Sequence, residues 1–383
     1  MIKKLLQVVL LFHFIISFGQ NPNLSDKATI SIFTCGKGDE LYTVFGHTAI
    51  RIKDVVNNLD VVYNYGAFDF RTENFYLKFV KGDLQYFINA TSYEQFLYEY
   101  QNENREVVEQ FLALSTVKKQ ELYDKLNASL FSEERNYTYK FIDRNCTTMV
   151  VDKINQTTEK IIIKKKTDDT SISYREVLYP YFQNHFWYKL GINIIFGAKT
   201  DADAQKLFLP IELLHSLDKA IYNKKPLVYK KQTIVKGIKK TNSFSFINSI
   251  YFVSLLLILI AVVNKKIIFL SYFLILGLLG LFFLLVGFYS FHKELLWNYN
   301  VLLFNPLYIL LPFLSSSKRV KQLLYTCAGL LVLYCLILIN KPHLVLVLPF
   351  ILLTFYGIYR MISIQNSKKF TIVHDKTTRY LLF

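Results

Sequence analysis

Beyond Asn242 the chain reads as five long apolar runs: Phe244–Val263, Ile267–Phe288, Val301–Leu314, Leu323–Ile339 and Leu344–Ile358. A helix that crosses a bilayer needs roughly 20 apolar residues, with a range of about 17–25. The first two runs clear that length. The third is shorter and holds Pro306 and Pro312, but Trp297 and Tyr299 extend it as interfacial anchors. A mean hydropathy of +0.25 and 33 Phe in 383 residues argue against a uniformly soluble protein. Charge sets the expected count. With all five runs spanning, the Lys265–Lys266 turn, the Lys318–Arg319–Lys321 loop and a tail with Arg360, Lys368, Lys369, Lys376 and Arg379 share one side. The positive-inside rule asks for that arrangement when the first half of the chain is exported. The sequence therefore predicts an all-α five-helix transmembrane domain over residues 244–362 and a cytoplasmic tail over 363–383.

The other end agrees. Lys3 and Lys4 precede an apolar stretch from Leu5 to Phe18, with Ser17 and Gly19 just before Gln20. Residues 1–19 have the layout of a signal peptide, or of a short uncleaved anchor. Either places the chain from Gln20 onward outside the cytoplasm. The formal charge of +16, from 45 Lys and Arg against 29 Asp and Glu, would elsewhere suggest nucleic acid. Export argues against such a partner. Four Cys in 383 residues exclude a disulfide-scaffolded domain. Residues 20–211 read as an extracytoplasmic domain and 212–243 as a basic linker. The eight Lys of 219–240 either lie against anionic head groups or are simply solvated.

Within the exported domain, Thr29–Cys35 and Thr43–Ile52 read as strands around a Gly/Asp turn, with Val61–Gly66 antiparallel to the second. His47, Ala49 and Arg51 share one face of that strand, expected to look onto a cleft or solvent. Phe75–Val80 and Leu84–Asn89 suggest a hairpin about Lys81-Gly82-Asp83. Tyr93–Tyr100 and Val107–Leu130 read as helices. A turn at Asp143–Asn145 precedes a helix starting near Cys146, its buried face drawn from Met149, Val150 and Ile154. A Cys there meets unpaired backbone N–H groups and the positive end of the helix dipole, both of which favour thiolate. A nearby imidazole supplies a base. Cys327 and Cys335 fall inside an apolar run, so the chemistry rests on Cys35 and Cys146, which are alternatively a disulfide pair. The His spacing offers no metal site.

His47 on a strand, followed about a hundred residues later by Asn145-Cys146-Thr147-Thr148, resembles the permuted papain-like enzymes, the NlpC/P60 and lecithin:retinol acyltransferase-like proteins. A fuller set of motifs is similar to the bacterial Lnb family: Thr34-Cys35-Gly36-Lys37-Gly38-Asp39, Gly46-His47-Thr48-Ala49, Tyr63-Asn64-Tyr65-Gly66, Asn145-Cys146-Thr147-Thr148, Tyr174-Arg175-Glu176, Gly191-Ile192-Asn193 and Phe208-Leu209-Pro210. The resemblance implies an α+β, permuted papain-like (NlpC/P60-like) domain ahead of the membrane helices. It also implies a lipoprotein N-acyltransferase of the bacterial inner membrane, multi-pass, with its catalytic domain in the periplasm. Cys146 and His47 would be the catalytic pair, needing no cofactor and no metal. The donor would be a membrane glycerolipid ester and the acceptor the N-terminal amine of a lipoprotein. Extracting an acyl chain into water costs about 0.8 kcal/mol per CH₂, which gives such a domain a reason to be tied to a membrane.

Asn64 on the neighbouring strand is the expected third residue orienting the imidazole, with Asp69 in reserve. Arg51 and Arg144 are candidate contacts to a substrate phosphate or carboxylate, against salt-bridge and turn-capping roles. Tyr139 or Tyr137 is a candidate oxyanion donor. Tyr179–Ile195, rich in Phe, Tyr and Trp, either dips into the membrane interface or packs in a core. Two rival functions remain: a membrane-anchored NlpC/P60-type cell-wall peptidase or amidase using the same nucleophile, and a non-enzymatic sensor module with a Cys35–Cys146 disulfide.

Overall fold

The computed structural model describes residues 22–165, 172–183, 185–238 and 244–380, with side chains as far as residue 366. The signal-peptide reading of residues 1–19 lies outside them. The chain divides into two compact units, one of residues 1–73, 84–168 and 205–239, the other of 74–83, 169–204 and 240–383. The first is a mixed α/β, sheet-rich unit and the second is largely helical.

Among the described residues the first unit is built on nine strands: β1 (Thr29–Cys35), β2 (His47–Asp54), β3 (Leu59–Ala67), β4 (Gln85–Ser92), β5 (Val107–Leu112), β6 (Asn136–Thr138), β7 (Ile221–Tyr222), β8 (Lys225–Pro226) and β9 (Val228–Val235). Seven of them form one sheet in the order β6-β4-β3-β2-β1-β5-β9, and β7 and β8 pair separately. Every pairing is antiparallel. Both faces of the sheet are covered. Helix Tyr93–Asn102 lies on one, where Phe33 stacks on Phe96 at 5.0 Å. Helices Thr116–Phe131 and Cys146–Thr158 lie on the other, tied to it by Tyr63 Oη donating to Asn127 Oδ1 at 2.6 Å and by the Thr48 and Thr147 hydroxyls, 3.0 Å apart. Double coverage makes Arg51 an interior residue, where a cleft or solvent was expected.

Three local expectations are corrected. Phe75–Lys81 is a helix, closed by Gly82 at φ +74 with its N–H on the Lys78 and Phe79 carbonyls. Gly after a basic residue stops a helix as readily as it turns a hairpin. Val107–Leu130 is not one helix. Val107–Leu112 pairs with both β1 and β9, and the helix starts only at Thr116, where the Ser115 side chain accepts from Lys118 N. The described part of the expected linker, residues 212–238, is structured. Helix Pro210–Asp218 and strand β9 are built into this unit, with β9 as the sheet's edge. Lys on an edge strand blocks pairing with other chains, and Lys231 also reaches Asp218 at 2.7 Å.

Among the described residues of the second unit, three helices are long and apolar enough to cross a membrane: Lys266–Tyr289, Ser317–Leu338 and the Leu344–Asn366 part of Leu344–Tyr380. The five-helix expectation is corrected to three. The first apolar run yields only Ile250–Val263, 14 residues ended by Asn264 in the left-handed region. That is about 21 Å of helix against a hydrocarbon core of about 30 Å. The third run forms 3₁₀ segments, Tyr299–Leu302 and Pro306–Phe313, because Pro306 and Pro312 each remove a backbone donor. It packs along Lys266–Tyr289, where a Cβ on Gly280 would collide with the Phe304 carbonyl oxygen. Irregular backbone at such depth is tolerated when protein surrounds it. Arg360 Nε donates to Asn264 Oδ1 at 2.8 Å and Ser317 Oγ to Gln365 O at 3.4 Å. These contacts gather Lys265, Lys266, Lys318 and Arg360 toward one end of the bundle.

The same unit holds helix Phe186–Ile195. Phe186, Ile194 and Ile195 pack on its apolar core, while Trp187 stays exposed with its Nε1 donating to Ile247 O at 3.1 Å. The helix's C-terminal carbonyls are answered by fully buried Arg175, which donates to Asn193 O, Phe196 O and Gly197 O at 3.0–3.2 Å and pairs with Asp201 at 2.7 Å. Asn298 and Asn300 add donors to Ile194 O and Ile195 O.

Candidate functional site

Asn145 makes the start of helix Cys146–Thr158. Its Oδ1 accepts from Thr147 N at 2.9 Å and Thr148 N at 3.0 Å, and Thr148 Oγ1 accepts from Asn145 N at 2.8 Å. This reciprocal cap satisfies orphan donors, and such caps are worth roughly 1 kcal/mol. The Asn145 Nδ2 is also used, donating to Phe141 O at 2.7 Å and Phe208 O at 2.9 Å. Cys146 is thereby fixed as the first helical residue, half-buried.

Its sulfur meets the backbone N–H of Thr48, the residue after His47, together with its own N–H and the N–H and hydroxyl of Thr147. On the adjoining strand, Gly66 sits against Cys146: a Cβ there would be 3.3 Å from Cys146 Cβ, and φ is +93. A side chain at 66 would be strained by the backbone and would crowd Cys146.

His47 opens β2. Its Nε2 lies 3.3 Å from Asn64 Oδ1. The β2–β3 register pairs Asn64 with Ala49, so Asn64 is the diagonal neighbour of His47 on the same face. The Asn64 amide is oriented by its own Nδ2, which donates to Val62 O at 3.3 Å and Thr91 Oγ1 at 3.4 Å. Oδ1 is then the acceptor, His47 Nε2–H the donor, and Nδ1 carries the lone pair.

Burial pushes the His47 imidazole down to about 4, against the pull of the Asn64 bond, and the Arg105 guanidinium adds to the depression. Burial also raises the Cys146 thiol, although the Thr48 N–H and the Thr147 hydroxyl favour thiolate. The N–H groups at the helix start do favour thiolate, as expected, but burial outweighs them, so the thiol needs His47 to take its proton. Alkylation of Cys146 by iodoacetamide should climb with pH past 8 and show no plateau between pH 5 and 7; such a plateau, measured by peptide mass, would mean a preformed ion pair. In the same assay Asn64→Ala should slow alkylation, by about tenfold on the scale of a lost orienting bond.

Cys35 is fully buried at the end of β1, register partner of His47, and its thiol is pushed up to about 12 by burial despite a bond with Tyr100. Cys35 and Cys146 are both free thiols, not the disulfide of the sensor reading.

Three sequence candidates lie elsewhere. Arg51 is closed off. Asp60 holds it at two atoms, 2.7 Å each, Glu109 lies at 3.1 Å, and the Tyr93 ring stacks 3.3 Å from its guanidinium carbon. No edge is left for a substrate anion. Arg144 is exposed over Tyr137 at 5.2 Å and lines a cleft in which Glu133, Glu134, Asp143 and Asp152 outnumber the cations Arg144 and Lys153, a poor seat for a phosphate. Tyr139 stacks on Tyr86 at 4.3 Å; it is Tyr86 and Tyr137 whose phenols feel Cys146 directly. The reserve residue Asp69 pairs with Arg71 at 2.8 Å. Thr48, Thr147 and Arg105 were missed. The Gly-His-Thr and Cys-Thr-Thr motifs held the first two in plain view. Arg105 carries no local signal.

Residues 18–178 match the family model described as the Lnb N-terminal periplasmic domain. Over that stretch the chain is similar to the Lnb family. The matched stretch includes His47, Asn64 and Cys146 and ends before the membrane-length helices. No curated protein and no solved structure matches the chain. Similarity to a periplasmic domain, together with three membrane-length helices among the described residues, is the layout of a membrane protein with an extracytoplasmic domain.

Proposed function

We propose that this protein is a thiol-dependent lipoprotein N-acyltransferase of the inner membrane, its first unit a permuted papain-like domain working in the periplasm. The observation that carries the reading is His47 held by Asn64 at the strand start whose next N–H meets the Cys146 sulfur. His47 Nδ1 takes the thiol proton. The sulfur attacks the carbonyl carbon of a glycerolipid ester, and the oxyanion is met by the Cys146 N–H and the Tyr137 hydroxyl. As the tetrahedral species collapses, the C–O bond breaks and His47 returns the proton to the departing alcohol, leaving a thioester on Cys146. The α-amine of a lipoprotein N-terminus then attacks the thioester. An α-amine has a reference pKa of about 7.7–8.0, so part of it is free base near neutrality. His47 accepts its surplus proton, the C–S bond breaks, and the proton returns to the sulfur as the amide forms. A neutral imidazole suits this role, since it is ready as a base at any pH well above 4.

The test is to withhold the amine acceptor. A fatty-acyl mass should then accumulate on the Cys146 peptide, be removed by neutral hydroxylamine, and be absent in His47→Ala. An adduct on Cys35, or one formed equally without His47, would overturn the mechanism. A peptidase using the same thiol would yield no fatty-acyl adduct.

A further inference from the structure

Within the first unit an aromatic row leads from Cys146 to the surface. Gly66 backs onto the Cys146 side chain, and two residues further along the chain is Phe68. Its ring lies 5.1 Å from Tyr86, 4.9 Å from Phe70 and 5.7 Å from Tyr42, and Tyr42 is 5.9 Å from Phe70. The inner end, Tyr86, is buried, whereas Tyr42 and Phe70 are 58% and 55% exposed, with Leu41 beside them at 46%. The row comes from three places, the loop that enters β2, the chain that leaves β3 and the start of β4. The first two of these strands carry His47 and Asn64, so a site and its apolar approach are built together. Contiguous exposed aromatics of this kind are uncommon on a water-facing surface and mark a binding surface. Neither Arg51 nor Arg144, the two cations considered for a head group, joins the row, and the charges beside Phe70, Asp69 and Arg71, pair with each other at 2.8 Å, so the row offers apolar surface.

We infer that this row is the track for the donor's fatty acyl chain, with the ester carbonyl at Cys146, the first methylenes against Tyr86 and Phe68, and the chain lying across the exposed faces of Tyr42 and Phe70. The inference rests on the acyltransferase reading. A peptide or glycan substrate would need hydrogen-bonding partners along such a path, whereas a hydrocarbon needs only apolar contact, worth about twofold to fourfold in affinity per buried CH₂.

The full-length protein, reconstituted with phosphatidylglycerol carrying either palmitoyl or hexanoyl chains and no acceptor, is followed by the rate of acyl adduct formation on Cys146. The wild-type protein should favour palmitoyl. The surface double variant Tyr42→Ala/Phe70→Ala should lose at least about tenfold in the palmitoyl rate and stay within about twofold with hexanoyl, while Tyr42→Phe keeps the wild-type ratio. Equal loss with both chains, or none with either, overturns the track while leaving the acyltransferase reading standing. If the wild-type protein forms no acyl-Cys146 from either lipid, that reading falls and the track falls with it.

Discussion

Cys146→Ser should lower acyl transfer by at least about a thousandfold while leaving the fold in place. Losing a nucleophile typically costs that much or more, because the remaining groups act only in concert with it. A Ser hydroxyl is far more basic than a thiol. The donors around the sulfur, the Thr48 and Thr147 N–H groups, already fail to overcome burial for the easier ionisation of Cys. The variant nevertheless has what it needs to fold. The cap belongs to Asn145, whose bonds to Thr147, Thr148, Phe141 and Phe208 do not involve the sulfur. The measurement is the mass of a lipoprotein N-terminus after incubation, with the thermal midpoint in detergent recorded alongside. Substantial transfer by the Ser variant would mean that the nucleophile lies elsewhere. Cys35→Ser is the control. It should keep most activity, since Cys35 is buried and bonded to Tyr100, and equal damage from both would remove the special status of Cys146.

The largest stability effect should come from Arg175→Met. Arg175 is fully buried, pairs with Asp201 at 2.7 Å and supplies donors to the carbonyls of Asn193, Phe196 and Gly197. Removing one partner of a buried pair costs about 3–5 kcal/mol, because the other charge and its neighbours stay buried without it. Asp201 would keep Tyr299 at 2.7 Å and Lys341 at 3.3 Å, which places the expected loss at the lower end. Arg175→Lys should rescue little, because an ammonium cannot reach a carboxylate and three carbonyls in one plane. The readout is the thermal midpoint in detergent together with protease cleavage between Phe186 and Gly197. An unchanged midpoint in Arg175→Met would show that Asn298 and Asn300 alone hold that helix end.

The chain's local signals were legible where one turn or one strand decides the outcome. Asn-Cys-Thr-Thr announced a helix start with Cys146 first, since a cap acts only on the next few N–H groups. Alternation in Thr29–Cys35 and in the strand through His47 announced strands for the same reason. The apolar second half announced membrane helices, and three of its five runs became helices of sufficient length. Length of apolar sequence did not by itself make a helix. Asn264 stopped one run, and Pro306 and Pro312 turned another into 3₁₀ segments packed along a neighbour.

What only the tertiary structure decided is which distant residues meet, and how far water is excluded from them. The choice of Asn64 over Asp69 as the partner of His47 depended on the β2–β3 register, and a slip of one residue would have turned Asn64 to the other face. Arg51 shared the face of His47 in the sequence pattern, yet Asp60, Glu109 and Tyr93 close around it from a neighbouring strand, a more distant one and a helix. The Lys-rich stretch that looked like a linker contributed the edge strand β9 because β5 had an open edge to receive it. The charge state of the Cys146–His47 pair followed burial rather than the helix start. Caps and alternation are sums over adjacent residues and can be read from the sequence. Register and desolvation are sums over partners that only the folded chain brings together.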